Sequence, residues 1–237
     1  MRILLCALSL AALSLPALAD EAKIKQVIEA RLPGAKVENI VKTPYLGLYE
    51  VQVGNEVVYT DAEANYIFVG NVHDGDTLEN LTEARLREMN RVDFGAFPLD
   101  QAFKIVNGKG TRKLVYFSDP NCPYCKRMDK ELAAVPDLTI HVFLYPILSP
   151  DSMAKSQKVW CSTDRGKAWQ ALMLEGKAPA ADGNCETPIL KNLQLGQQLR
   201  IRGTPALFFP NGERVSGAIT GKEVEDLLTK PAAAKAK

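Results

Sequence analysis

Lys113-Leu114-Val115-Tyr116-Phe117-Ser118-Asp119-Pro120-Asn121-Cys122-Pro123-Tyr124-Cys125 is the stretch that decides the fold. Lys113 to Phe117 is an apolar strand, Ser118 to Asn121 a polar turn broken by proline, and beyond it Cys125, Met128, Leu132 and Val135 share one helical face until Pro136. A helix therefore begins near Cys122. A cysteine at that place faces unpaired backbone N–H groups and the positive end of the helix dipole, both of which favour thiolate over thiol. Cys122 is the expected attacking sulfur. Cys125, one turn deeper and less open to a bulky substrate, is the expected resolving thiol. Pro123 suits a first helical position, where its missing N–H costs nothing, and Tyr124 adds an apolar rim.

The same spacing serves half of a zinc site, but a structural site wants four ligands. Cys161, Cys185, His73 and His141 do not form a second paired motif, so no metal is expected. The other alternative is a short structural disulfide. The helix-start setting predicts instead an accessible, labile bond, so that Cys122–Cys125 is itself the redox group and no added cofactor is needed.

Outward from this centre, Phe103 to Val106 reads as a first strand, Asn107 to Gly110 as a turn and Leu138 to Tyr145 as a strand. Helical segments are expected over Ser152 to Cys161, Lys167 to Leu174 and Pro188 to Leu199. Ala206 to Phe209, an Asn211-Gly212 turn and Arg214 to Ser216 form a hairpin, and a helix closes near Lys222 to Leu228. Strand, helix, strand, helical insert, hairpin, helix is the thioredoxin order, an α/β catalytic domain. Thr204-Pro205 stands directly before a strand, where a proline is tolerated and a cis bond would be a specific feature. Cys161 and Cys185 enclose about 23 residues and should form a structural disulfide contributing roughly 3 kcal/mol, with a second redox pair as the alternative. Arg127, Asp129 and Lys130 read as solvated helix-face charges, and His141 as a structural or surface residue.

At the other end, Arg2, the apolar run Ile3 to Leu15 and Ala17-Leu18-Ala19 read as a signal peptide over 1–19. The run is shorter than the ~20 residues of a bilayer span. Removing 19 of 237 residues leaves 218, enough for a small domain plus a larger one. Ile24, Val27, Ile28 and Leu32 mark a helix that Pro33-Gly34 stops. Lys36 to Val41, Leu46 to Val53, Val57 to Thr60 and Tyr66 to Val69 then read as an antiparallel meander. About sixty residues bury a modest core and favour self-association. Leu78 to Arg91 reads as a charged helix with a thin apolar stripe, either a linker or a helix packed on one domain. A net charge of +1 with interspersed signs argues against nucleic acid or a membrane surface as partner. The four cysteines beyond the signal indicate disulfide chemistry in an oxidising compartment.

On Phe117 to Cys125, Trp160-Cys161 and Gly203-Thr204-Pro205-Ala206, the chain resembles the DsbC/DsbG disulfide isomerase family of the periplasm over essentially its whole mature length. The resemblance implies an α+β, cystatin-like dimerisation domain over 20–80, a helical linker over 81–100 and a thioredoxin-like catalytic domain over 101–230; the tail 231–237 itself reads as disordered. It also implies a periplasmic homodimer with two Cys122 sites facing an apolar cleft, and a cis Thr204-Pro205 bond. Thr204, Pro205 and Tyr124 would meet the substrate, largely through main-chain pairing at Thr204. Cys161 and Cys185 match the family's structural disulfide.

The expected reaction is rearrangement or reduction of wrong disulfides in secreted proteins, with the inner-membrane reductase DsbD restoring the dithiol. Pro123-Tyr124 departs from the Gly-Tyr common in DsbC proteins and matches DsbG. A DsbG-like reductase of sulfenylated cysteines therefore stands beside the isomerase, as do a dimeric chaperone with secondary redox activity and a monomeric oxidase.

Overall fold

Ile24 and Ile28, one helical turn apart, are fully buried, and they set the face that the first helix presents to the first sheet. The computed structural model describes residues 16–54 and 56–231. Most of the expected signal peptide (1–15) and nearly all of the expected disordered tail (232–237) lie outside the described residues. The chain divides into two units, Met1–Met89 and Asn90–Lys237.

In the first unit, helix α1 (Pro16–Arg31) continues without a break through the expected cleavage point at Ala19/Asp20. It packs on an antiparallel sheet of β1 (Val37–Lys42), β2 (Tyr49–Val53), β3 (Glu56–Thr60) and β4 (Ile67–Phe68), in the order β1-β2-β3-β4. The core joins Ile24 and Ile28 to Val37, Tyr49, Val51, Val58 and Ala64, and the Tyr49 hydroxyl donates to Asp20 at 2.8 Å. The second strand begins at Tyr49 rather than Leu46, because Leu46 sits at φ 52° inside the turn that Thr43 N–H closes on Leu48 C=O at 2.9 Å.

The stretch 81–100, expected as a helical linker, is helical only over α2 (Leu81–Met89), and the residues after it make two single 3-10 turns, Phe94–Ala96 and Leu99–Gln101. The helix belongs to the first unit: buried Thr82 meets the Tyr59 hydroxyl at 2.6 Å and Arg85 pairs with Glu50 at 2.7 Å. Val92, Phe94 and Leu99 pack instead against the second unit's core, beside the buried Phe97. Side-chain anchors thus divide the stretch between the two units.

The second unit holds a five-stranded sheet, order β5-β7-β6-β8-β9. Its strands are β5 (Phe103–Val106), β6 (Arg112–Ser118), β7 (Leu138–Leu144), β8 (Ala206–Phe208) and β9 (Arg214–Ser216). β6 and β7 run parallel and the other neighbours antiparallel. Parallel neighbours need a crossover connection, and α3 (Pro123–Ala134) supplies it. After β7 come α4 (Pro150–Trp160), α5 (Arg165–Glu175) and α6 (Ile189–Gln198), the helical insert, and α7 (Gly221–Thr229) closes the chain. Central strand β6 is buried from Leu114 to Ser118, as an apolar run covered on both faces must be. One face packs with Met128, Leu132 and Trp169; on the other, Phe117 stacks on Phe143 at 4.8 Å between ring centroids. No helix among the described residues is long and apolar enough to cross a membrane.

Candidate redox site

β6 delivers the chain to the site, and Asp119 fixes the turn that follows. Its carboxyl group, fully buried, accepts four hydrogen bonds: from Asn121 N–H (2.8 Å), Ile147 N–H (2.9 Å), Leu148 N–H (3.0 Å) and the Ser152 hydroxyl (2.8 Å). One side chain thereby ties the turn before Cys122 to the loop after β7 and to the first turn of α4. Asn121 repeats the tie, donating to Asp151 at 2.8 Å and accepting from Lys155 at 2.8 Å. These contacts leave Ile147 and Leu148 exposed on a pinned loop.

Cys122 is the N-cap of α3, with extended backbone (φ −74°, ψ 119°) and Pro123 at the first helical position. Its sulfur accepts the Cys125 N–H at 3.4 Å and lies 3.3 Å from the carbonyl oxygen of Thr204, to which the thiol donates. The expected helix start is thus found where Pro123 and the apolar spacing put it. Cys125 is fully buried one turn on, and Cys122, expected to be accessible, is itself only 3% exposed beneath the Thr204 carbonyl; both cysteines are free thiols. Burial pushes the Cys125 thiol up to about 12; the nearby Cys122 adds to this, while the hydroxyls of Ser118 and Thr204 and the Asp119 N–H, all facing its sulfur, oppose it. The inner sulfur therefore keeps its proton at neutral pH.

Thr204-Pro205, at the head of β8, is a cis peptide bond, and the Thr204 carbonyl oxygen faces Cys122. Tyr124 projects from the first turn of α3 and is 62% exposed. Cys122, Cys125, Thr204, Pro205 and Tyr124 therefore meet at one end of the sheet. Cys161 and Cys185 stand apart, bonded to each other with an S–S distance of 2.04 Å, between the end of α4 and the segment before α6. Among the described residues no cluster of His, Cys, Asp or Glu could hold a metal ion.

Asp129 departs from its expected place among the solvated helix charges. Arg127 and Lys130 are exposed, but Asp129, four residues after Cys125, falls on the same inward face and is 7% exposed. Tyr116 Oη on β6 donates to its Oδ2 at 2.8 Å and Trp169 Nε1 on α5 to its Oδ1 at 2.7 Å. Burial raises this carboxyl to about 7 against the lowering effect of both bonds, and burial raises the Tyr116 hydroxyl well above its ordinary value. His141 is buried on β7, where burial and then Lys104 and Lys113 favour its neutral form. The i, i+4 spacing from Cys125 was a signal for Asp129. Nothing in the sequence announces the bonds from Asp119 to 147, 148 and 152.

A reduced CxxC pair at the head of a helix, facing a cis-proline loop on a sheet of this order, defines a thioredoxin-fold thiol–disulfide oxidoreductase. Residues 99–231 match the thioredoxin-like domain model, and 15–83 match the model of the disulfide bond isomerase protein N-terminal domain. A protein of Bordetella parapertussis named "Probable thiol:disulfide interchange protein DsbC" is 41% identical over 205 residues, 86% of this chain and 73% of its own. The thiol:disulfide interchange protein DsbC of Escherichia coli K12 is 30% identical over 226 residues, 92% of each chain. Among solved structures, a disulfide interchange protein from Neisseria gonorrhoeae superimposes with a TM-score of 0.55 at 40% identity, covering 58% of this chain and all of that one. The chain belongs to the DsbC family of thiol:disulfide interchange proteins.

Proposed function

We propose that the chain acts in the periplasm as a homodimeric disulfide isomerase, with Cys122 as the attacking sulfur and Cys125 as the resolving one. The observation that carries this reading is the unequal setting of the two sulfurs. Cys122, 3% exposed, is the N-cap of α3 and its sulfur accepts the Cys125 backbone N–H, while Cys125 lies one turn deeper, fully buried and held as a thiol.

Cys122 thiolate attacks a wrong disulfide of an exported protein, forms a mixed disulfide and releases one client sulfur as thiolate. A second client thiol that attacks the client sulfur of the mixed bond returns Cys122 reduced, and the net result is isomerisation. If Cys125 attacks Cys122 first, the client leaves reduced and Cys122–Cys125 is the oxidised product. A reductase at the inner membrane, of the DsbD kind, then restores the dithiol. No other cofactor enters the cycle.

Thr204 supports main-chain recognition because its carbonyl lies beside the attacking sulfur, so an extended client can pair there whatever its side chains. Exposed Tyr124 supplies apolar contact. The dimer is supported by the first unit's edge: among the described residues β4 pairs only with β3, and Tyr66, Phe68 and Val69 are 69%, 52% and 81% exposed along it. An unpaired edge lined by apolar side chains is a template for a second copy. Pro123-Tyr124 favours one further substrate, a sulfenylated cysteine, which the same thiolate can attack with loss of water.

The test is trapping. Cys125→Ala, incubated with an oxidised client, should accumulate a covalent adduct through Cys122, removable by dithiothreitol. Cys122→Ala should form none. Equal adduct from both variants, or none from either, overturns the assignment of roles.

A further inference from the structure

The Cys125 carbonyl, the Tyr116 hydroxyl and the Asp129 carboxyl form a buried row that the reaction as described does not use. Tyr116 Oη lies 3.2 Å from Cys125 O and 2.8 Å from Asp129 Oδ2. A phenol has one hydrogen and cannot donate to both. Hydrogen counting therefore allows two arrangements. With Asp129 ionised, the phenol hydrogen goes to the carboxylate, and the Cys125 carbonyl is left without it. With Asp129 protonated, the acid hydrogen goes to Tyr116 Oη and the phenol hydrogen turns to the Cys125 carbonyl. Trp169 Nε1, a donor only, holds the other carboxyl oxygen in both.

We propose that Asp129 is a positioning residue for the resolving step, setting through Tyr116 the hydrogen bonding at the Cys125 carbonyl and hence the readiness of Cys125 to attack the mixed disulfide. This deepens the isomerase reading and rests on it. In the step itself, Cys125 loses its proton to solvent base, its sulfur forms a bond to Cys122, and the Cys122–client bond breaks with its electron pair leaving on the client sulfur. Asp129 touches none of the reacting atoms. Its ionised form places a negative charge one turn from Cys125 and opposes the Cys125 thiolate; its protonated form removes that charge and adds a donor to the first turn of α3.

The device has few inputs. Among the described residues, the titratable groups facing Asp129 are Tyr116 on β6 and Cys125 on its own helix; from α5, Trp169 donates to it and Gln170 lies beside it. A narrow recess of about 10 Å³ beside Asp129 is lined also by Asn107, Leu132, Ile140 and Gln170, none of them charged. The raised titration of the carboxyl, near neutrality, places the change of arrangement within the pH range in which exported proteins fold.

The consequence is a pH-dependent division of labour. As pH rises through neutrality, resolution quickens less than the ionisation of Cys125 alone would allow, so the mixed disulfide outlives the one that Asp129→Asn would form and leaves the client more time to rearrange. Asp129→Asn imitates the protonated arrangement: its Nδ2 donates to Tyr116 Oη and its Oδ1 accepts from Trp169.

The experiment isolates resolution. The full chain carrying a mixed disulfide between Cys122 and thionitrobenzoate is followed by release of the coloured thiolate from pH 5.5 to 8.5, in wild type, Asp129→Asn and Tyr116→Phe. The expected ratio of Asp129→Asn to wild-type rate is about 1 at pH 5.5 and rises to about fivefold at pH 8.5, with its midpoint near pH 7, fivefold being what one hydrogen bond of ordinary net strength supplies. Tyr116→Phe removes the relay and should flatten the titration without the gain in rate. Parallel wild-type and Asp129→Asn profiles overturn the proposal, as does loss of rate in Asp129→Asn at all pH values alike, the mark of a merely structural role. Wild type that releases no thiolate, or a Cys125→Ala control that releases it equally fast, refutes the isomerase roles instead.

Discussion

Replacing Asp119 by alanine should loosen the whole mouth of the redox site, because four donors lose one acceptor. The Ser152 hydroxyl can turn to Ser149 Oγ, already 3.1 Å away, and loses little. The N–H groups of Asn121, Ile147 and Leu148 have no such recourse, and at ~1 kcal/mol for each net hydrogen bond the substitution costs about 3 kcal/mol. For a domain of this size that lowers Tm by roughly 6–12 °C. Both tryptophans, Trp160 and Trp169, are in the second unit, so tryptophan fluorescence during heating reports that unit alone. Asp119→Asn keeps one acceptor oxygen and should fall between wild type and Asp119→Ala. A Tm for Asp119→Ala within about 2 °C of wild type would refute the view that this carboxyl fastens the turn, the loop after β7 and α4 together.

Three further outcomes follow from other parts of the second unit. Serine at both Cys161 and Cys185 should lower stability by about 3 kcal/mol in urea unfolding, the closure entropy of a loop with a sequence separation of 24, and leave Cys122 alkylation by iodoacetamide unchanged. Gly196→Ala should cost about 2 kcal/mol by the same measurement, since a methyl there meets the ring of Tyr145, which its bond to the Ile201 carbonyl at 3.1 Å keeps from swinging aside. Asp129 gives stability a pH slope: its folded value, about 7, lies above the unfolded one, so the folded chain binds the extra proton between them. Its contribution is complete below about pH 4 and lost as pH rises through 7, on the order of 4 kcal/mol in all, and urea unfolding of Asp129→Asn should lack that slope.

Much of this architecture is legible in the sequence because its signals are local. The start of α3 is marked by Cys122-Pro123 and by the spacing of Cys125, Met128 and Leu132; the β8–β9 hairpin is marked by Asn211-Gly212, with Gly212 at φ 86°. Thr204-Pro205 and the cysteines could be singled out, but their meeting depends on β6 and β8 being neighbours, which only the sheet order decides. What escaped was polar and long-range. Asp119 reaches residues 147, 148 and 152, and Asp129 reaches Tyr116 and Trp169, partners on other elements. A charged residue on a helix reads as solvated unless its place on the apolar face is weighed above its charge. Leu78 to Arg91 shows the converse: its thin stripe marked a helix, but the anchors that assign α2 to the first unit, Thr82 to Tyr59 and Arg85 to Glu50, are tertiary.

The central claim is that Cys122 attacks wrong disulfides and that this chain thereby speeds their rearrangement. It is tested most directly by refolding a client with scrambled disulfides in a defined glutathione buffer and measuring the regain of client activity. The account predicts that the wild-type chain restores the client faster than glutathione alone, and that Cys122→Ala gives no acceleration. Recovery by Cys122→Ala equal to wild type, or wild-type recovery no faster than glutathione alone, would contradict it.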